Sequence, residues 1–246
     1  MNIIITMAGL GSRFREAGYT VPKYMIDTLG KTLFEWSMSS LESFFEASNR
    51  FIFIVRKEDH ASDFIQKTAK SCGIDNQHII EIDYLTDGQS STAMLAKSCW
   101  IETEPVLIYN IDTFVDPNEI NPGDLSGDGA IPCFTAEGTH WSFAKLGENG
   151  LVCEVREKER ISNYCTVGAY YFKSCALFES LCFDYYKQHT DLKERYIAPV
   201  YNLLIEQGGS VRISLIDSDK VHVLGTPDEL AEFQNNYRLK EVRNEG

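Results

Sequence analysis

The stretch Asn2-Ile3-Ile4-Ile5-Thr6-Met7-Ala8-Gly9-Leu10-Gly11-Ser12-Arg13-Phe14 decides how the rest of the chain is read. Asn2 to Met7 predicts a short apolar strand, and a glycine-rich loop follows as far as Pro22. Gly9 and Gly11 let the backbone come close to phosphates with its N–H groups turned inward. Arg13, and Lys23 after Pro22, add fixed positive charge for the same phosphates. A P-loop would need Gly-Lys-Ser/Thr after four intervening residues, and that is absent. A dinucleotide fingerprint would need a third glycine where Phe14 stands and a helix starting at once. Gly18 and Pro22 interrupt the following segment, so no helix is expected there. A merely structural glycine turn is the plain alternative; Arg13 and the Pro22-Lys23 pair favour phosphate.

Working outward, Lys31 to Ala47 predicts an amphipathic helix, with Leu33, Phe34, Met38, Leu41 and Phe45 on one side. Phe51 to Val55 is a continuous apolar run, as in a parallel strand buried on both faces. Glu58 to Ser71 reads as helix, His78 to Asp83 as strand, and Ser91 to Trp100 as helix. Val106 to Ile111 is a fourth strand, ending at Asp112. Strands alternating with helices imply right-handed crossovers and a parallel sheet. Beyond residue 125 the pattern changes. Ala130 to Thr135, Ser142 to Leu146, Val152 to Arg156 and Thr166 to Phe172 predict strands joined by short turns. Helices are expected at Cys175 to His189 and Tyr196 to Gln207, then two short strands and a last helix after Pro227. The expectation is one α/β domain over residues 1–246. A nucleotide half runs to about residue 125, and a mixed-sheet half completes the cleft.

Composition limits the partners. Among 246 residues the net charge is −13, which argues against nucleic acid or an anionic membrane. No apolar run approaches the roughly 20 residues that span a bilayer. Met1 to Gly11 has no basic leader region and does not read as a signal peptide. Seven cysteines without a CxxC pair suit reduced thiols in a cytoplasmic protein. An acidic protein can still hold a polyanion through a local basic pocket and metal ions, and Arg13 with Lys23 is that pocket.

Asn110-Ile111-Asp112-Thr113 is the second signal. Ligands of open α/β sheets sit at the carboxyl ends of strands, where Asp112 emerges. A carboxylate there is a hard-oxygen ligand for Mg²⁺ shared with phosphates. Capping of the turn before Asp116-Pro117 is the alternative. Arg156-Glu157-Lys158 and Ser162-Asn163-Tyr164-Cys165-Thr166-Val167-Gly168-Ala169-Tyr170 by themselves read as an exposed charged turn before a strand.

Together these motifs resemble the sugar-1-phosphate nucleotidyltransferase superfamily, the pyrophosphorylases, over nearly the whole chain. Its members open with a strand, a G-x-G-[ST]-R-[FL] loop and a later Pro-Lys. The resemblance implies a Rossmann-like mixed, mostly parallel sheet flanked by helices, and a Mg²⁺-dependent reaction of a nucleoside triphosphate with a small phosphorylated acceptor, releasing pyrophosphate. By matching positions, the loop Ala8, Gly9, Leu10, Gly11, Ser12 and Arg13 holds the triphosphate. Lys23 stabilises charge on the α-phosphate and the departing pyrophosphate, and Asp112 holds the metal. Lys158 grips the acceptor phosphate and Glu157 contacts the acceptor's polar body; Gly168 belongs to the same region, and Arg195, in Glu194-Arg195-Tyr196 ahead of a helix, is a second ligand for that phosphate. Asp83, Asp87 and Gly88 lie in the loop that cradles the base.

Two departures stand out. Asp83 occupies the position where thymidylyl- and uridylyltransferases generally carry glutamine. A carboxylate only accepts hydrogen bonds, which suits the amine of cytosine and favours CTP. Val223 replaces the second metal-binding aspartate, leaving Asp217 or Asp219 to supply a second carboxylate. Within the superfamily the opening loop and Leu224-Gly225-Thr226-Pro227 look most like members of capsule and surface-polysaccharide pathways, including cytidylyltransferases that activate phosphoglutamine. Transfer from dTTP or UTP to a sugar-1-phosphate is the alternative. A glycosyltransferase is disfavoured because Asp112-Thr113-Phe114 lacks its Asp-x-Asp. A nucleotide-binding regulator without catalysis has only Val223 in its favour.

Overall fold

The computed structural model describes residues 1–244, with side chains through 237. The first half runs β1 (Asn2–Thr6), α1 (Ser12–Glu16), the short pair β2 (Asp27–Thr28) and β3 (Lys31–Thr32), and α2 (Leu33–Ser39). It continues with β4 (Arg50–Arg56), α3 (Ser62–Ser71), β5 (Gln77–Ile82), α4 (Gln89–Met94), β6 (Val106–Asn110) and β7 (Thr113–Val115). The second half contains β8 (Gly129–Thr135), β9 (Ser142–Leu146), β10 (Val152–Glu157), β11 (Tyr164–Thr166), β12 (Ala169–Phe172) and α5 (Cys175–Gln188). It closes with α6 (Val200–Glu206), β13 (Val211–Leu215), β14 (Val221–Val223) and α7 (Pro227–Asn244).

One sheet spans both halves in the order β10-β9-β11-β8-β12-β6-β1-β4-β5, with β13 on β8. β6, β1, β4 and β5 pair in parallel. β12 is antiparallel to β6, and the pairings beyond it leave only β12, β11 and β10 running against the other strands. The sheet is therefore mixed and mostly parallel, as expected. Ile3 and Ile5 belong to the apolar cluster on one face, Ile4 to that on the other. Burial on both faces is why β1 and β4 show no polar alternation.

Several boundaries differ from expectation. The helix expected over Lys31 to Ala47 stops at Ser39. There Ser39 Oγ donates to the Glu35 carbonyl at 2.8 Å, and Ser40 Oγ accepts the Val115 N–H at 2.9 Å. Serine hydroxyls that bond nearby backbone compete with the helix. The segment Glu58 to Ser71 breaks at His60, which takes a left-handed φ of 48°. Thr166 to Phe172 is two strands, parted at Gly168 with φ 81°. The helix expected from Tyr196 starts only after Pro199. A single helical turn, α1, does form beyond the glycine loop, because Gly11 at φ 62° turns the chain into it. Phe14 then buries in a third apolar cluster with Trp36, Phe114, Leu224 and Phe233, which fixes the loop's far end.

Candidate active site

The sheet reverses its order between β1 and β6: from β1 the chain builds toward β4 and β5, then returns to place β6 on the other side. Crevices of open α/β sheets form at such a switch point, beyond the carboxyl ends of the strands. Thr6 and Asn110 are register partners at those ends. The glycine loop and Asp112 thus leave the sheet side by side, although about a hundred residues separate them in sequence.

A cleft of about 890 Å³ opens there. Ala8, Gly9, Leu10, Gly11, Ser12, Arg13, Lys23 and Asp112 all line it. Lys23 Nζ donates to Asp112 Oδ2 at 2.9 Å. Lys23 sits in a tight turn after Pro22, anchored by buried Tyr24, whose hydroxyl donates to Asp59 at 2.9 Å. Asp112 is held through its backbone, its carbonyl accepting the Leu224 N–H at 2.8 Å. Burial opposes its charge, but the charge and hydrogen bond of Lys23, with Arg13 farther off, outweigh it and keep the carboxyl below its ordinary range. The group is therefore held in its ionised form, paired with Lys23.

The opposite wall is stitched from distant segments. Arg195 N–H donates to the Asp87 carbonyl at 2.7 Å, and Ser90 N–H to the Arg195 carbonyl at 2.9 Å. Between them, a Cβ on Gly88 would stand 2.5 Å from the Arg195 backbone N and O. The missing side chain of Gly88 thus lets the loop Thr86–Gln89 lie on the 193–196 segment. Gly168 plays the same part against Asn110, whose Nδ2 would lie 2.5 Å from an added Cβ. Asp87, Gly88 and Gly168 all line the cleft.

Across that geometry, the chain is 35% identical to the nucleoside-diphosphate-sugar pyrophosphorylase of Vibrio cholerae RC9. The match covers 96% of this chain and 100% of that one, with a TM-score of 0.88. The chain belongs to the sugar-1-phosphate nucleotidyltransferase superfamily. Two more distant structures share the fold. The inositol-1-phosphate CTP transferase of T. maritima is 15% identical over 96% of this chain and 94% of that one, at a TM-score of 0.76. The CTP:phosphocholine cytidylyltransferase of Streptococcus pneumoniae is 16% identical over 95% and 97%, at 0.73. No protein-family model and no curated protein matches the chain.

In this nucleotidyltransferase the remaining expected residues divide. Glu157 lines the cleft, its carboxylate accepting from Ser142 Oγ; burial raises its pKa above the ordinary 4.5. Lys158, in a left-handed backbone conformation (φ 57°), does not itself line the cleft. Its ammonium lies 4.6 Å from the Tyr196 ring centroid and donates to the Tyr196 hydroxyl, which in turn donates to Glu194. Arg195 turns away from the cleft: its guanidinium pairs with Asp87 Oδ2 at 3.0 Å and covers the Tyr186 ring. It therefore clips two loops together, and Lys193, Glu194 and Tyr196 face the cleft instead. Asp83 lines an adjoining cavity of about 470 Å³ together with Leu10, Tyr84 and Leu85. Leu10 and Leu85 also border the main cleft.

Asp217 and Asp219 need correction. Asp217 precedes the tight turn Ser218–Lys220 and Asp219 lies within it, and neither lines the cleft. Glu229, in the first turn of α7, does. Sequence reading passed over Glu229, whose Thr-x-x-Glu spacing from Thr226 is that of an ordinary helix cap. Trp141, just ahead of β9, also lines the cleft and carries no local sequence signal.

Proposed function

We propose that the enzyme is a cytidylyltransferase that joins CTP to a small phosphorylated acceptor, such as phosphoglutamine, for capsule or surface-polysaccharide synthesis. The supporting observation is the meeting of Lys23 and Asp112 at 2.9 Å on the floor of a cleft bordered by Gly9 to Arg13. A cation and an anion at one point serve a reaction that must both bind a metal–triphosphate and neutralise a leaving pyrophosphate. Leu10 and Leu85 give apolar walls for a base, with Asp83 beside them; its acceptor-only carboxylate matches the cytosine amine.

An acceptor phosphate oxygen forms the new bond to the α-phosphorus as the α–β bridging P–O bond breaks. The acceptor phosphate is already ionised, so no general base is required. Catalysis rests on alignment and on charge placed where charge develops. The Gly9–Gly11 backbone and Arg13 hold the triphosphate, while Lys23 moves from Asp112 to the α-phosphate and pyrophosphate oxygens. Lys158 and Lys193 face the acceptor phosphate, and Glu157 takes a hydrogen bond from its polar body.

The residues fit Mg²⁺. Among the described residues no three His, Cys, Asp or Glu side chains gather into a metal cage. Mg²⁺ takes one or two carboxylates plus substrate phosphates and keeps several waters, which is what ionised Asp112 offers. When bound, the ion draws negative charge off the transferring phosphate.

The second reading, a sugar-1-phosphate acceptor with dTTP or UTP, draws on the 35% identity to a protein described as a nucleoside-diphosphate-sugar pyrophosphorylase. Pyrophosphate release with Mg²⁺, crossing CTP, UTP, dTTP, ATP and GTP with phosphorylated amino acids, amino alcohols and sugars, separates the two. Release with CTP alone and a non-sugar acceptor is expected. Release only with dTTP or UTP and a sugar-1-phosphate overturns the cytidylyl assignment, and no release with any pair overturns the activity.

A further inference from the structure

Two helices in this molecule begin with Thr-x-x-Glu, and they use the glutamate differently. At α2 the cap closes both ways: Glu35 N–H donates to Thr32 Oγ1 at 3.3 Å, and Thr32 N–H donates to Glu35 Oε2 at 2.7 Å. At α7 Glu229 N–H donates to Thr226 Oγ1 at 3.2 Å, but among the described residues Glu229 makes no return bond to the Thr226 N–H. Its carboxylate turns into the cleft instead. Oε2 of Glu229 and Oδ2 of Asp112 lie 3.4 and 3.6 Å from one point, the place a Cβ on Gly225 would fill. Gly225 keeps that space open. The Leu224 N–H bond to the Asp112 carbonyl, 2.8 Å, locks the two carboxylate-bearing segments together. Val223 lines the same wall with an alkyl group.

We infer that Glu229 is the second carboxylate for the divalent cation that enters with the nucleotide, in place of a side chain Val223 cannot supply. The assignment rests on the proposed nucleotide site. A Mg²⁺ ion bound by one or two carboxylates and by phosphates needs only such a pair. The longer glutamate, carried one helical turn past the strand end, reaches the position from α7 rather than from β14. The capping bond it gives up at Thr226 is the local cost of that placement.

The test is binding of Mn²⁺, read from the disappearance of the free-ion EPR spectrum, with and without an α,β-methylene analogue of CTP that cannot be cleaved. In the presence of the analogue, Glu229→Gln is expected to weaken Mn²⁺ by at least roughly the 10–100-fold lost when a metal site loses even an outer partner. Asp112→Asn should weaken it further, and Asp217→Asn should bind as wild type. Val223→Asp in the Glu229→Gln background should recover the affinity. Circular dichroism of each variant checks that it folds. If Asp112→Asn loses Mn²⁺ while Glu229→Gln binds it as wild type, the role of Glu229 is wrong and the nucleotide site stands. A wild-type protein whose Mn²⁺ affinity does not respond to the analogue removes the nucleotide site, and this inference with it.

Discussion

The two ends of the cleft are built by different means. At the proposed nucleotide end the groups issue directly from parallel strands: Gly9 to Arg13 follow β1, and Asp112 follows β6, with Thr6 and Asn110 in register between them. Backbone geometry fixes them. At the proposed acceptor end the groups are side chains on antiparallel strands and a loop. They are held by one another through Lys158 to Tyr196 to Glu194 and Ser142 to Glu157. Under the proposed function, preorganised charge at the Lys23–Asp112 end would contribute to rate, whereas the far end would contribute mainly to binding.

The largest effect is therefore expected at the nucleotide end. Lys23→Ala and Asp112→Ala should each lower kcat by about 10²–10³-fold, or 2.7–4 kcal/mol of barrier, with a preserved fold by circular dichroism. A wild-type kcat in either variant would break the asymmetry at its source.

The seam between the ends comes next. Gly88→Ala places a methyl group 2.5 Å from the Arg195 backbone at a φ of 143°. Overpacking of this kind costs about 1–3 kcal/mol, and at this chain length each kcal/mol lowers Tm by roughly 2–4 °C. KM for both substrates should rise together, because the loop Thr86–Gln89 and the 193–196 segment move as one. An unchanged Tm would mean that the seam gives way without cost and that the ends are not mechanically joined.

Lys158→Ala should raise the acceptor KM by roughly tenfold, the worth of a hydrogen bond to a charged group at about 1.5 kcal/mol, and leave the nucleotide KM unchanged. Equal rises in both would move Lys158 to the nucleotide side.

The same contrast explains what could be read from the sequence. β1 and its loop were legible because an apolar run and a local turn motif coincide within a dozen residues. Asp112 was legible because it ends such a run. β7 was missed: Thr113–Val115 is three residues long, too short to show a period, and exists because β14 pairs with it. The break at Gly168 was missed because it answers the side chain of Asn110, distant in sequence. Arg195 carried the right charge for a phosphate ligand, yet its orientation is set by Asp87 and Tyr186, which no local pattern reveals. Asp217 and Asp219 were candidates only as nearby stand-ins for the aspartate that Val223 replaces, and neither lines the cleft. Groups placed by their own strand could be read from local pattern, whereas Gly88, Glu157 and Gly168, placed by distant segments, were reached only through the resemblance.

The smallest expected effect concerns Glu157, and its sign follows from burial. Burial raises the carboxyl above its ordinary 4.5, so on acidification it takes up a proton earlier than an exposed glutamate. A protonated Glu157 offers a poorer acceptor to an amine or hydroxyl of the bound substrate. The acceptor KM should rise as pH falls toward the raised pKa, while the nucleotide KM stays flat, since Asp112 is held below its ordinary range. Stability moves oppositely. A carboxyl whose pKa is raised by folding contributes its stability in full below the unfolded value and loses it as pH rises through the folded one. Glu157→Gln should accordingly leave neutral-pH stability equal or slightly higher, remove the pH dependence of the acceptor KM, and set that KM at a constant elevated value. A pH dependence that survives in Glu157→Gln would assign the titration to another group and leave Glu157 as a structural partner of Ser142.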